Sequence, residues 1–191
     1  DDNARAFILC NLLDDLGDEP PVENLGRLTT TYLAFVAAAL NHGAGRSSNF
    51  MSHGRVWLDD SGSEDSHARA LWAAGVGAGR TRIDGHRKLA AQLFERGLPF
   101  VESFSSPRAW AFTLLGIHEY LRRYDANQEV NATRAALTDK LVTLWKNCAT
   151  EDWPWFEQSV TYDNARLSQA LILSGQWMPH PEALRIGIES L

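Results

Sequence analysis

Cysteine is scarce in this 191-residue chain: only Cys10 and Cys148 occur. They stand far apart, each inside a helical apolar pattern, so neither a disulfide framework nor a thiolate metal site is expected, and a reducing cytoplasm is the compartment that fits. Long apolar runs are missing too. The longest, around Tyr32 to Leu40, is interrupted and well short of the roughly 20 residues that span a bilayer, so no membrane-crossing helix is expected. Clustered Lys and Arg are absent and the net charge is −6. Nucleic acid is therefore not an expected partner, because neutralising phosphates takes concentrated positive charge. The histidines show no ligand spacing and no glycine-rich loop follows a strand, so neither a metal nor any other cofactor is expected. No stretch alternates apolar and polar residues for more than a few positions, which leaves no convincing strand.

What the chain does contain is helical periodicity. Apolar residues recur at three- and four-residue intervals in eight segments, the mark of helices with one buried stripe. The first segment, about residues 2–16, carries Phe7, Leu9, Leu12, Leu13 and Leu16 on or near one face, and Gly17 with Pro20-Pro21 stops it. The second covers about residues 23–41. A third starts near Asp65 with Leu71 and Trp72; after it, Gly75-Val76-Gly77-Ala78-Gly79 reads as a flexible link between helices. The fourth, fifth and sixth cover about residues 84–97, 106–123 and 131–147, the seventh begins near Asp163, and the eighth at Pro181. The chain opens without methionine or leader and closes inside a helical pattern with no stop signal. Residues 1–191 are therefore expected to form a single all-helical domain that is a piece of a larger one continuing beyond Leu191.

The segments also repeat in content. Odd-numbered ones open with a cap-type residue and then an arginine within one turn: Asp2-Asn3-Ala4-Arg5, Asp65-Ser66-His67-Ala68-Arg69, Ser106-Pro107-Arg108 and Asp163-Asn164-Ala165-Arg166. Even-numbered segments lack the signature. The expected fold class is accordingly all-α, with antiparallel helical hairpins forming part of an α/α toroid, about four of six hairpins being present. Inner helices of such a ring start on one shared face, so the four openings should converge.

Capping explains the acids, since a side-chain oxygen at a helix start stabilises by about 1 kcal/mol. It does not explain the arginines, because a cation in the first turn meets the positive end of the helix dipole and loses about 0.3–1 kcal/mol. Two roles remain open: a charged belt with carboxylates of neighbouring helices, or contacts to a ligand through forks of N–H donors. The loops ahead of Arg69 and Arg166 add Trp57, and Trp153 with Trp155, at closely similar offsets. Any one of these indoles is explained by core filling; three on loops beside carboxylates and amides match a carbohydrate site, where a sugar presents a C–H face and a hydroxyl rim. Glycosidic chemistry needs two carboxylates about 5–10 Å apart, and Glu64, Asp65 and Asp163 are the catalytic candidates. The candidate substrate contacts are Asp2, Arg5, Trp57, His67, Arg69, Arg108, Trp153, Trp155, Tyr162, Asn164 and Arg166, with a satisfied structural histidine the competing account of His67.

The stretches Asn49-Phe50-Met51-Ser52, Trp57-Leu58-Asp59, Gly62 through Ala73, Ser106-Pro107-Arg108-Ala109-Trp110-Ala111-Phe112, Asp152 through Glu157 and Thr161 through Leu167 together resemble an all-helical region of bacterial proteins commonly labelled glycosyltransferase or mannosyltransferase. The resemblance runs over nearly the whole chain and implies a six-hairpin, glycosidase-like toroid. The expected function is thus a carbohydrate-active domain that binds an oligosaccharide or glycoside in the toroid funnel and cleaves or transfers a glycosyl group with a carboxylate pair. The alternative is a non-catalytic module that holds a glycan or a partner domain for a fused or neighbouring glycosyltransferase. A terpenoid-cyclase-like toroid is disfavoured, because the acidic run Asp14 to Glu19 stands at a helix end instead of facing an apolar cavity.

Overall fold

Capping side chains or prolines open four of the eight helices, whereas Asp1 and Asn164, ahead of the first and seventh, make no side-chain cap bond. In the computed structural model, which describes residues 1–16, 23–42 and 45–191, eight α-helices are present and no strand occurs among the described residues. They are α1 (Asp2–Asp14), α2 (Leu25–His42), α3 (Glu64–Arg80), α4 (Asp84–Gly97), α5 (Pro107–Tyr120), α6 (Gln128–Cys148), α7 (Ala165–Trp177) and α8 (Pro181–Glu189), with a short 3-10 helix, Leu98–Ser103, after α4. Ser63 Oγ accepts from the Ser66 N–H at 3.1 Å, Ser106 Oγ from Ala109 at 3.3 Å and Asn127 Oδ1 from Val130 at 3.1 Å. Each satisfies an N–H that the helix cannot. Pro107 and Pro181 fill first helical positions, where no N–H is needed. The Asn127 cap starts α6 three residues ahead of the expected 131, and α5 ends at Tyr120, short of 123. The stop at Gly17 and Pro20-Pro21, like the second half of the acidic run from Asp14 to Glu19, lies outside the described residues.

The odd-numbered helices neighbour one another in order: α1 packs on α3, α3 on α5 and α5 on α7. Each even-numbered helix packs on an odd-numbered one, α2 on α1, α4 on α3, α6 on α5 and α8 on α7. The core contains the fully buried Phe7, Leu71, Phe94, Phe112, Ile117 and Leu141. Side chains of this kind stabilise by about 1.5–3 kcal/mol each on burial. No described helix is long and apolar enough to cross a membrane.

Two expectations need correction. Gly75 to Gly79 is not a link: it is the buried second half of α3. A Cβ on Gly75 would lie 2.1 Å from the Gly116 carbonyl oxygen, and one on Gly79 would lie 2.0 Å from that of Glu119. The missing side chains let the α3 and α5 backbones touch. The buried stripe of α1 is Ala4, Phe7, Ile8 and Asn11, while Leu9, Leu12 and Leu16 are exposed. Phe7 decides this orientation, because its ring fills the space beside Gly77, where a Cβ would come within 2.9 Å of it.

The segment leading into α3 folds back as a narrow hairpin. Ser52 N–H donates to Val56 O and Leu58 N–H to Phe50 O, both at 2.8 Å, around a single antiparallel bridge between Met51 and Trp57. Asp59 fixes its base by accepting from the Asn49 and Phe50 N–H groups at 2.8 and 2.9 Å.

Candidate functional site

The starts of α1, α3, α5 and α7 come together at one end of the helix layer, joined by the arginines that mark them. Arg69 is buried, with Nε 2.7 Å from Asp1 Oδ1 and Nη2 donating to Asp163 Oδ2 at 2.6 Å. Its guanidinium lies 4.1 Å from the centre of the Phe112 ring. Phe112 stacks on Trp72 at 6.1 Å, and Arg166 lies 4.9 Å from the Trp72 ring centre. A column of guanidinium, phenyl, indole and guanidinium thus runs across α3, α5 and α7, each cation facing the electron-rich face of a ring. Arg108, also buried, donates from Nε to the Tyr162 carbonyl at 2.6 Å, from Nη2 to Asn164 Oδ1 at 2.8 Å, and pairs through Nη1 with Glu157 at 2.8 Å. Arg5 is more than half exposed and reaches Asp1 at 2.9 Å. Carboxylates and ring faces offset the unfavourable end of each helix dipole; Arg108 donates from Nε, Nη1 and Nη2, whereas Arg69 donates from Nη2 and its Nε makes a close ionic contact without an aligned hydrogen bond.

The three candidate carboxylates differ in what holds them. Glu64 accepts from the Ser105 and Ser106 N–H groups at 2.8 and 2.7 Å, acting as a cap for the approach to α5. Asp163 pairs with Arg69 and has a left-handed backbone, φ 48°, which costs a non-glycine residue roughly 1–2 kcal/mol. Asp65 accepts from the Ser106 hydroxyl at 2.5 Å through one oxygen and from the Tyr162 hydroxyl through the other. It is the one candidate bonded to neither a cation nor a backbone amide. Tyr162 is exposed, as is Trp153, whose indole N–H donates to the Glu157 carbonyl at 2.7 Å. Trp153 therefore belongs to the same assembly through Glu157 and Arg108.

Other sequence candidates lie elsewhere. The Asp2 side chain is 94% exposed with only Arg5 near it, at 4.0 Å; Asp1 occupies the place beside Arg69 instead. His67 is fully buried: Nδ1 accepts from the Ser47 N–H and Nε2 donates to the Gly97 carbonyl, both at 2.9 Å. Burial lowers its pKa to about 4, so the ring is neutral, with both nitrogens engaged within the protein. Trp57 packs its ring 5.5 Å from both Phe35 and His42 of α2. Trp155 is buried edge-on to Phe156. Residues that were not singled out but complete the site are Ser106, Glu157 and Phe112; the first was visible as a cap, and Phe112 follows Arg108 by one helical turn.

Cavities lie beside this end. One of about 240 Å³ is lined by His67, Arg96 and Phe100, one of about 410 Å³ by Trp110 and Lys140, and one of about 480 Å³ by Trp145 and Glu151. None of these three includes Asp65, which is partly buried beside the exposed Tyr162. Among the described residues no group of three His, Cys, Asp or Glu side chains is placed to hold a metal ion. No protein-family profile matches the chain, and neither a curated protein nor a solved structure is significantly similar to it.

Proposed function

We propose that the shared end of the odd-numbered helices binds a carbohydrate, and that the four hairpins are part of an α/α toroid whose funnel opens there. The observation that carries this is Asp65. Both its oxygens are already held by hydroxyl groups, from Ser106 and Tyr162, and sugar hydroxyls supply the same donors. Exposed Tyr162 and Trp153 offer ring faces on which the C–H face of a pyranose can stack. The α1, α3, α5, α7 order supports the toroid, since inner helices of such a ring are successive neighbours. An oligosaccharide is the ligand class, and a fused or neighbouring glycosyltransferase domain is the partner this module would serve. Cys10 and Cys148, both free, suit a reducing cytoplasm.

Binding is the activity the geometry supports best, because Glu64 is engaged by amides and Asp163 by Arg69. Glycosyl hydrolysis or transfer by Asp65 and Asp163 is the second reading, and the left-handed backbone of Asp163 favours it, since strain of this kind concentrates at reacting sites. A glycan-array screen followed by calorimetry tests both. The expected result is saturable binding of at least one oligosaccharide, weakened at least tenfold in Asp65→Asn with helicity unchanged. Absence of any glycan ligand, or equal affinity in Asp65→Asn, overturns the reading. Release of free sugar by the wild type but not by Asp163→Asn selects the second.

A further inference from the structure

A separate site lies where α6 and α8 end. The 480 Å³ cavity there is lined by Trp145, Ala149, Thr150, Glu151, Pro154 and Glu189, within the roughly 300–1,000 Å³ range of small-molecule sites. Ala149 follows the last residue of α6 and Glu189 is the last of α8, so the carbonyl ends of two helices turn partial negative charge toward it. Glu151 and Glu189 add full negative charge, and none of the lining side chains is basic. The indole at its wall already carries one cation. The Arg185 guanidinium carbon lies 5.4 Å from the centre of the Trp145 ring, and its Nη1 is 2.5 Å from Glu189 Oε2. Trp145 Nε1 is buried without a hydrogen-bond partner.

We propose that this cavity binds an alkylammonium group against Trp145, which takes Glu151 and Glu189 as counter-charges and competes with Arg185 for Glu189. A methylated ammonium spreads its charge over C–H groups, needs no hydrogen-bond acceptor, and matches an indole face flanked by the apolar walls of Ala149 and Pro154. Arg185 lies outside the cavity lining and acts as an internal competitor for Glu189 and the indole ring, both of which it contacts. The cavity includes neither Asp65 nor Trp153, so the proposal stands apart from the carbohydrate reading.

Choline and its uncharged isostere 3,3-dimethyl-1-butanol distinguish cation recognition from simple filling of an apolar hollow. The readout is the Trp145 indole resonance of the full chain, assigned by its loss in Trp145→Phe. Choline should shift it saturably, and the alcohol should bind at least about fivefold more weakly. Glu151→Gln should weaken choline about two- to fivefold. Arg185→Gln should strengthen it by a similar factor, because the competitor is gone. Glu151 and Arg185 are both exposed, so neither variant threatens folding. The proposal is overturned by equal binding of the alcohol, by the absence of a saturable shift, or by choline affinity that stays the same or falls in Arg185→Gln.

Discussion

Replacing Gly75 by alanine asks whether α3 and α5 touch backbone to backbone. The added methyl would sit 2.1 Å from the Gly116 carbonyl oxygen, whereas ordinary contact begins near 3.4 Å. The helices would have to separate by more than an ångström. Neither obstacle can rotate aside, since both are main chain, and the facing glycine, Gly116, is itself tight, with a Cβ position 2.9 Å from Trp72 Cα. Overpacking of this kind costs about 1–3 kcal/mol, and the rigid partner places it near the upper end. Alanine regains about 1 kcal/mol of helix propensity, leaving a net loss of about 2 kcal/mol and a Tm about 4–8 °C lower. Gly85→Ala in α4 is the control, because nothing lies within 4 Å of its Cβ position; there propensity acts alone and stability rises by up to about 1 kcal/mol. Thermal unfolding followed by far-UV circular dichroism measures both. If Gly75→Ala stabilises as Gly85→Ala does, the close approach is refuted and the stretch behaves as the flexible link its composition suggests.

Arg69→Ala should cost about 2–4 kcal/mol in urea unfolding, less than a wholly buried pair because the Asp1 and Asp163 side chains keep 31% exposure, whereas Arg5→Ala should stay within about 0.5 kcal/mol; equal losses would contradict the buried belt. His67 takes up a proton at about pH 6.5 in the unfolded chain but only at about 4 in the folded one. Its contribution is therefore complete above pH 6.5 and falls by about 3 kcal/mol as the pH drops to 4, and a His67→Gln variant with the same pH slope as the wild type would refute this. Tyr162→Phe keeps the ring but leaves one Asp65 oxygen without its hydroxyl, so glycan affinity should fall less than about tenfold. Tyr162→Ala, which loses the stacking face as well, should fall further; calorimetry giving the reverse order would remove Tyr162 from the site.

Helix starts were legible at Ser106 and Pro181, which act within one turn of their own position, but not at α3, where Asp65 was expected as the cap and Ser63 fills that role. The convergence of Arg69, Arg108 and Arg166 was legible through repetition: a cation placed against a helix dipole several times implies a common neighbour. What could not be read depended on residues far along the chain. Gly75 is a link or a contact surface according to whether Gly116 lies against it, and nothing local reports that. On α1 two stripes share helical spacing, one through Phe7 and one through Leu9, and periodicity cannot choose between them. The partners that consume both nitrogens of His67 come from Ser47 and Gly97, 20 and 30 residues away. The difference between Asp1 and Asp2 is one of side-chain direction at a helix start, which a one-letter code does not record.

Arg69 grips two carboxylates, one before α1 and one 94 residues along the chain before α7. Stacked helix pairs that meet only their immediate neighbours can peel from either tip, one unit at a time. Here the departure of the final pair would strand a guanidinium on Phe112 with half its counter-charge gone, so loss at the tip is felt at once by the opening helix and the centre. The clasp ties the first and last of the four pairs through one side chain, so loss of either is expected to weaken the other.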